Sequence, residues 1–171
     1  MLNMNNLQYR TASLEDLQAI LELLFSVKEN NQKIGLKIWQ HDYPNANVIM
    51  KDLNNSCGRV IEDGDGNILA YTALVNTDEE YGKEAFDYRY LMTFSRLMVS
   101  PKYLKQGIGY FLIQQVINET RMIDCCGLGI TVDGFNEAAI NLYKKFGFSR
   151  VGTYFIEEVN LTLDKYLLLL N

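Results

Sequence analysis

Histidine is nearly missing from this chain, with His41 the single copy, and the three cysteines, Cys57, Cys125 and Cys126, have no partner residues arranged to use them. Cys125 and Cys126 are adjacent, so they lack the separation of a C-x-x-C ligand pair, and an odd count of three frames no metal site. His41 is far away in sequence and nothing marks a nucleophile turn, so the thiols read as buried or partly buried side chains instead of catalytic ones. No run of eighteen apolar residues occurs, and Met1-Leu-Asn-Met-Asn-Asn-Leu7 lacks the basic and apolar regions of a signal peptide. A soluble cytoplasmic protein with no membrane partner is therefore expected. Positive charge is also short: 16 Lys and Arg face 21 Asp and Glu, and the net charge of −5 argues against broad binding to nucleic-acid phosphates. Repeats, low-complexity tracts and linkers are absent too. With 171 residues and 48% hydrophobic content, the chain reads as a single domain, 1–171, able to bury a sizeable core.

What is present begins with a weak alternation over Leu7-Gln-Tyr-Arg-Thr11, a first strand. Ser13 follows as an N-cap with Asp16 at the capping-box position, and Leu17, Ile20, Leu21 and Leu24 then fall on one helical face. A second helix is expected over about Asn31 to Trp39, ending near His41-Asp-Tyr-Pro44-Asn45, where proline biases its predecessor away from helix, and a short helix over Ala46 to Leu53. Gly58-Arg-Val-Ile-Glu62 and Ile68 to Val75 flank Asp63-Gly-Asp-Gly-Asn67, whose residues tolerate positive φ, so they predict an antiparallel hairpin. After a polar, acidic excursion from Asn76 to Asp87 come a long strand, Tyr88 to Val99, a helix from Gly107 to Thr120, and a strand from Leu128 to Val132. A helix from Asn136 to Phe146 with Gly147 as its C-cap follows, and Gly152 to Val159 and Leu161 to Leu170 close the sheet as strands. Some strands are hairpin-linked and two are joined through a helix. The expected class is α/β (α+β): a mixed, mostly antiparallel central sheet of about seven strands with helices on both faces.

Gly107-Ile-Gly109 falls just after the strand-like Arg96 to Ser100 and opens an amphipathic helix. A glycine pair at such a turn lets backbone N–H groups approach a phosphate closely, and the helix N-terminus adds partial positive charge. The turn suits a pyrophosphate, though alone it is a weak signal. Taken together, Leu97-Met-Val-Ser-Pro-Lys-Tyr-Leu-Lys-Gln-Gly-Ile-Gly109 and the later Asn136…Tyr143…Gly147-Phe148 resemble the GNAT superfamily of acyl-CoA N-acyltransferases, whose acetyl-CoA loop reads Arg/Gln-x-x-Gly-x-Gly/Ala. The matching stretch runs from about Tyr88 to Gly152, and the upstream element order suits the family.

The resemblance implies an acetyl-CoA co-substrate, with the backbone of Leu97, Met98 and Val99 paired to the pantetheine arm and the pyrophosphate on backbone N–H groups from about Gln106 to Tyr110. Lys102 and Lys105 lie close enough in sequence to add charge, or are solvated surface lysines. Leu104 stands where the family usually has Arg or Gln, and Lys105 replaces a common glycine. Asn136 would sit beside the pantetheine amides, while also reading as a helix N-cap. Tyr143 lies seven residues on, two turns along the same face, and the resemblance makes it the general acid that protonates the departing thiolate. Its alternative role is packing, since Ala139, Leu142, Tyr143 and Phe146 form a helical stripe.

A backbone N–H near Val99 is the candidate donor to the thioester oxygen. Relatives often carry Glu or His just before the Arg-Leu-x-Val segment, but this chain has Ser95; Glu62, Glu79, Glu80 and Asp133 are candidate bases or solvated charges. Trp39, His41, Asp42, Tyr43 and Asn45 lie where the family commonly builds one wall of the acceptor site, and the acidic Asp78 to Tyr88 stretch could draw a cationic amine. The implied activity is acetyl transfer to a primary amine, of a small molecule or a peptide, by direct attack in a ternary complex. A homodimer is compatible with the sequence. A non-catalytic acyl-CoA-binding module is the alternative, and a dinucleotide-binding protein ranks below it because the third glycine and the acidic ribose partner are missing.

Overall fold

A computed structural model of the chain describes residues 3–39, 42–76 and 91–170. Seven strands form one mixed sheet in the order β1-β2-β3-β4-β5-β7-β6. In chain order these are β1 (Gln8–Thr11), β2 (Gly58–Glu62), β3 (Ile68–Asn76), β4 (Leu91–Val99), β5 (Gly127–Val132), β6 (Ser149–Ile156) and β7 (Leu161–Leu169). Four α-helices are present among the described residues: α1 (Leu17–Lys33), α2 (Ala46–Asn54), α3 (Ile108–Met122) and α4 (Glu137–Lys145). β4 and β5 run parallel, whereas β1 with β2, β2 with β3, β5 with β7 and β6 with β7 pair antiparallel. The mixed sheet expected from hairpins plus a helical crossover is what the chain forms.

The chain divides into two compact units, Met1–Leu74 with Arg96–Gln115, and Val75–Ser95 with Val116–Asn171. In the first, Ser13 donates its N–H to the Asp16 carboxylate at 2.7 Å, the capping arrangement read from the sequence, through a short 3-10 turn that leads into α1. Ile20, Leu23, Leu24 and Val27 of α1 and Ile49 and Leu53 of α2 then pack with Val60, Tyr71 and Met98 in one core, each large side chain contributing about 1.5–3 kcal/mol by leaving water. Leu17 and Leu21, partly buried, pack against it.

The separate helix expected over Asn31–Trp39 does not form. Instead α1 runs through Asn31 to Lys33 and stops where Gly35 adopts φ 73, a left-handed backbone that ends helices and that glycine takes without a Cβ clash. Trp39, itself at φ 54, packs its ring against the first core outside any helix. Of the long strand expected from Tyr88, residues 91–99 form β4, and Tyr88, like the acidic stretch Asp78 to Tyr88, lies outside the described residues.

In the second unit, Leu91 and Leu167 are buried with Cys126 and Tyr154 packed against them. The strand expected over Gly152 to Val159 begins earlier, at Ser149, and gives way to a 3-10 turn at Glu157–Val159 before Asn160 at φ 49. β7 is buried at Tyr166 and Leu167, but Leu169 is 58% exposed, so the terminal leucines are only in part a buried strand.

Candidate functional site

In the first unit, β4 leads through a 3-10 turn, Pro101–Tyr103, into residues 104–107 and then α3. Gly107 sits at φ 89 and its carbonyl accepts the N–H of Phe111 at 2.9 Å, the bond that starts the helix. Glycine at that position has no side chain with which to cap the helix, so any cap for its first turn must come from other groups. Gly107, Gln106 and Lys105 are exposed, Tyr110 is 48% exposed, and a Cβ at Gly107 would meet only the Met4 Cε at 3.6 Å. Lys105, the substitute for a common family glycine, adopts φ 61. That left-handed backbone costs a residue with a side chain about 1–2 kcal/mol, which is why glycine would suit the place. Leu104 is 45% exposed and offers no polar contact to an anion.

The three residues before this loop divide their work. Met98 buries its side chain completely in the first core, while Leu97 and Val99 are half-buried. Just before them, Arg96 takes φ 55 inside a nine-residue strand. Its side chain is almost wholly buried and forks onto Asp52 of α2, Nε donating to Oδ2 at 2.9 Å and Nη2 to Oδ1 at 2.7 Å. Tyr71 of β3 donates its hydroxyl to the same carboxylate at 2.7 Å, and Arg96 Nη1 donates to the Tyr43 hydroxyl at 3.0 Å. Sequence reading assigned no role to the side chains of Arg96, Asp52 and Tyr71. The available signal was an acid, Asp52, between Ile49 and Leu53 on the apolar face of a short helix, where a carboxylate needs a buried partner.

Around Tyr43 the chain is pinned further. Lys28 Nζ donates to the Pro44 carbonyl at 2.7 Å, Asn45 Nδ2 to Asp42 at 3.1 Å, and Asn45 Oδ1 caps α2 by accepting the Val48 N–H at 3.1 Å. Desolvation lowers the Lys28 pKa, with the Asp42 charge opposing it. His41 lies outside the described residues.

In the second unit, the parallel ladder of β4 and β5 covers Leu91 to Thr93 against Gly127 to Gly129; both strands continue past it. Ser95 is buried at 8% exposure. Asn136 caps α4, its Oδ1 accepting the Ala139 N–H at 3.3 Å. Tyr143, in the second turn, is 3% exposed and its ring meets Phe94 edge-on at 5.7 Å and Phe148 at 6.0 Å. Burial alone pushes its phenol well above the ordinary tyrosine range, so the group keeps its proton at every physiological pH.

Of the candidate bases, Glu62 is engaged by Arg10, and Asp133 accepts the Phe135 N–H at 2.9 Å. Glu79 and Glu80 lie outside the described residues. Cys57, Cys125 and Cys126 are all half-buried cysteines outside any disulfide, and no group of three or more metal-ligating side chains occurs among the described residues. No helix among the described residues is long and apolar enough to cross a membrane.

The model of the acetyltransferase (GNAT) family matches residues 15–148. Among solved structures, the chain is similar to a GNAT-family acetyltransferase from Streptococcus agalactiae, with a TM-score of 0.83, 21% identity, and coverage of 100% of this chain and 99% of that one. An N-acetyltransferase from Staphylococcus aureus gives a TM-score of 0.73 at 24% identity, covering 97% and 99%. The ribosomal-protein-S18-alanine N-acetyltransferase of Escherichia coli gives 0.70 at 17%, covering 95% and 93%. At these identities the structural likeness establishes the fold, and the family match establishes the kinship.

Proposed function

We propose that this chain, which belongs to the GNAT acetyltransferase family, transfers the acetyl group of acetyl-CoA to a primary amine by direct attack in a ternary complex. The observation that carries the reading is the start of α3 at Gly107, exposed, at φ 89 and without a side chain, where an anion can come close to the helix N-terminus. In this reading Gln106 to Tyr110 hold the pyrophosphate, with Lys105 adding charge, and the backbone of Leu97, Met98 and Val99 pairs with the pantetheine arm. Asn136 serves the pantetheine amides as well as its helix.

Acetyl-CoA supplies the activated acyl group. Tyr143 donates a hydrogen bond to the sulfur, and that bond strengthens as negative charge grows there. The same burial that keeps the phenol protonated makes it a weaker acid, so its contribution is this charge-matched bond more than early proton transfer. A backbone N–H near Val99 would meet the charge on the thioester oxygen. Acceptor amine, cytoplasmic setting, a single working domain over 1–171 and pairing into a homodimer all belong to the proposal.

The deciding experiment is a thiol-release screen with acetyl-CoA over polyamines, aminoglycosides, amino acids and peptide N-termini. Amine-dependent release is expected with at least one class. A second reading, a non-catalytic acyl-CoA-binding module, is favoured by one observation: the strand position where relatives carry an acid or histidine is the buried Ser95. Tight acetyl-CoA binding with no release across the whole panel would select it. No binding at all would remove both readings.

A further inference from the structure

Arg96 combines two features that rarely meet. It holds a left-handed backbone, φ 55, in the interior of β4, and its guanidinium is buried in a fork on Asp52 with a further bond to the Tyr43 hydroxyl. A residue with a side chain persists in such a conformation only where its surroundings over-determine it. Here they do: three hydrogen bonds from one planar group fix the side chain against α2 and against the segment before it, and Asp52 is itself held by Tyr71 of β3. The kinked residue immediately precedes Leu97, Met98 and Val99. Past them, Ser100 donates its N–H to the Leu69 carbonyl at 2.8 Å, so that short run of backbone is anchored at both ends.

We infer that Arg96 is a positioning residue: its fork on Asp52 sets the direction in which the backbone of Leu97 to Val99 leaves the kink, and thereby presents that backbone to the acyl-CoA. The inference rests on the cofactor role proposed for those three residues. Glycine in place of Arg96 would allow φ 55 without strain but could not enforce it. Lysine would keep the charge while losing the planar two-point fork. The geometry thus separates two roles for the side chain. Charge balance for Asp52 needs only a cation in the cavity, whereas positioning needs that cation tied covalently to residue 96.

The test compares the parent with Arg96→Gly and Arg96→Lys, and repeats Arg96→Gly with millimolar methylguanidinium to refill the cavity. Three readouts are taken: melting temperature, hydrogen exchange at the amides of Leu97 to Val99 without cofactor, and acetyl-CoA affinity by calorimetry. For Arg96→Gly, exchange at those amides should rise at least about 10-fold and affinity should fall roughly 10-fold to 100-fold, the scale of an ångström-sized misplacement. Methylguanidinium should restore melting temperature but neither of the other two. Arg96→Lys, the variant kept in case glycine does not fold, should melt close to the parent and still lose several-fold in affinity. Recovery of exchange and affinity with methylguanidinium, or parent-like exchange and affinity in Arg96→Lys, would reduce Arg96 to a counterion and overturn the inference. Should the parent itself bind no acetyl-CoA, the proposed function falls, and the exchange measurement alone still decides whether Arg96 directs this backbone.

Discussion

Helices α3 and α4 both open a few residues after a strand, and they open in opposite ways. α4 begins under the side chain of Asn136, which accepts the Ala139 N–H, and the turn before it is closed by Asp133 on the Phe135 N–H. α3 begins at Gly107, whose carbonyl accepts the Phe111 N–H but which has no side chain to cap the helix, on an exposed loop. The difference separates a helix start capped by its own side chain from one that opens at a glycine with no side chain to do so. A side-chain cap such as that of Asn136 contributes about 1 kcal/mol to a helix, and glycine cannot supply one. In the proposed function, the α3 start is where the pyrophosphate would sit.

Adding a carboxylate at the open start should break the contrast most completely. Gly107→Glu sets a side chain at φ 89 and a negative charge beside the first-turn amides, and acetyl-CoA affinity by calorimetry should fall at least about 100-fold. Unchanged affinity would remove the pyrophosphate assignment.

Next in size is Tyr143→Phe on the closed helix. Packing against Phe94 and Phe148 should survive, acetyl-CoA affinity should hold, and kcat should drop about 10²-fold once an acceptor is found, chemistry being rate-limiting. Equal kcat would leave Tyr143 as a core aromatic. A pH series adds a stability check with a definite sign. The fold favours the neutral phenol, so nothing changes below the unfolded value of about 10; above it the unfolded chain ionises freely while the folded one resists, and stability falls as pH rises. The Phe variant should lack that alkaline component.

Smaller effects come from the caps themselves. Asn136→Ala should cost about 1 kcal/mol in denaturant unfolding, because the Ala139 amide loses its acceptor. A much larger loss of acetyl-CoA affinity than of stability would show a second role for Asn136. Lys105→Gly should be the mildest change, stabilising by about 0.5 kcal/mol: relief of the left-handed backbone is offset in part by the extra freedom of glycine in the unfolded chain. If stability instead falls, the Lys105 side chain makes a contribution that its exposed position does not suggest.

Legibility followed the range of the interactions. The Ser13–Asp16 capping pair, the β2–β3 hairpin around Asp63 to Asn67 and the Gly107 turn were all readable, since each is fixed by atoms within five residues. The helix expected over Asn31 to Trp39 failed at a local competition: Gly35 left the helical region, and α1 had already used Asn31 to Lys33. For the candidate site, the residue types at Gly107, Gly109, Asn136 and Tyr143 stood out in sequence. The deep burial of Tyr143 and its effect on the phenol did not, because they arise from Phe94, 49 positions away, as much as from its own helix.

By itself the sequence determined the turns, caps and helical faces, and through the spacing of the glycine turn and Asn136 to Phe148 it marked the family. These are short-range consequences of backbone sterics, side-chain hydrogen bonding and hydrophobic periodicity. Only the tertiary structure decided that Arg96 would bend β4 and that Asp52, 44 residues earlier, would hold it there. No local preference puts arginine at φ 55 in a strand. The conformation exists because folding brings a buried carboxylate within reach of a charge that cannot be left unpaired out of water.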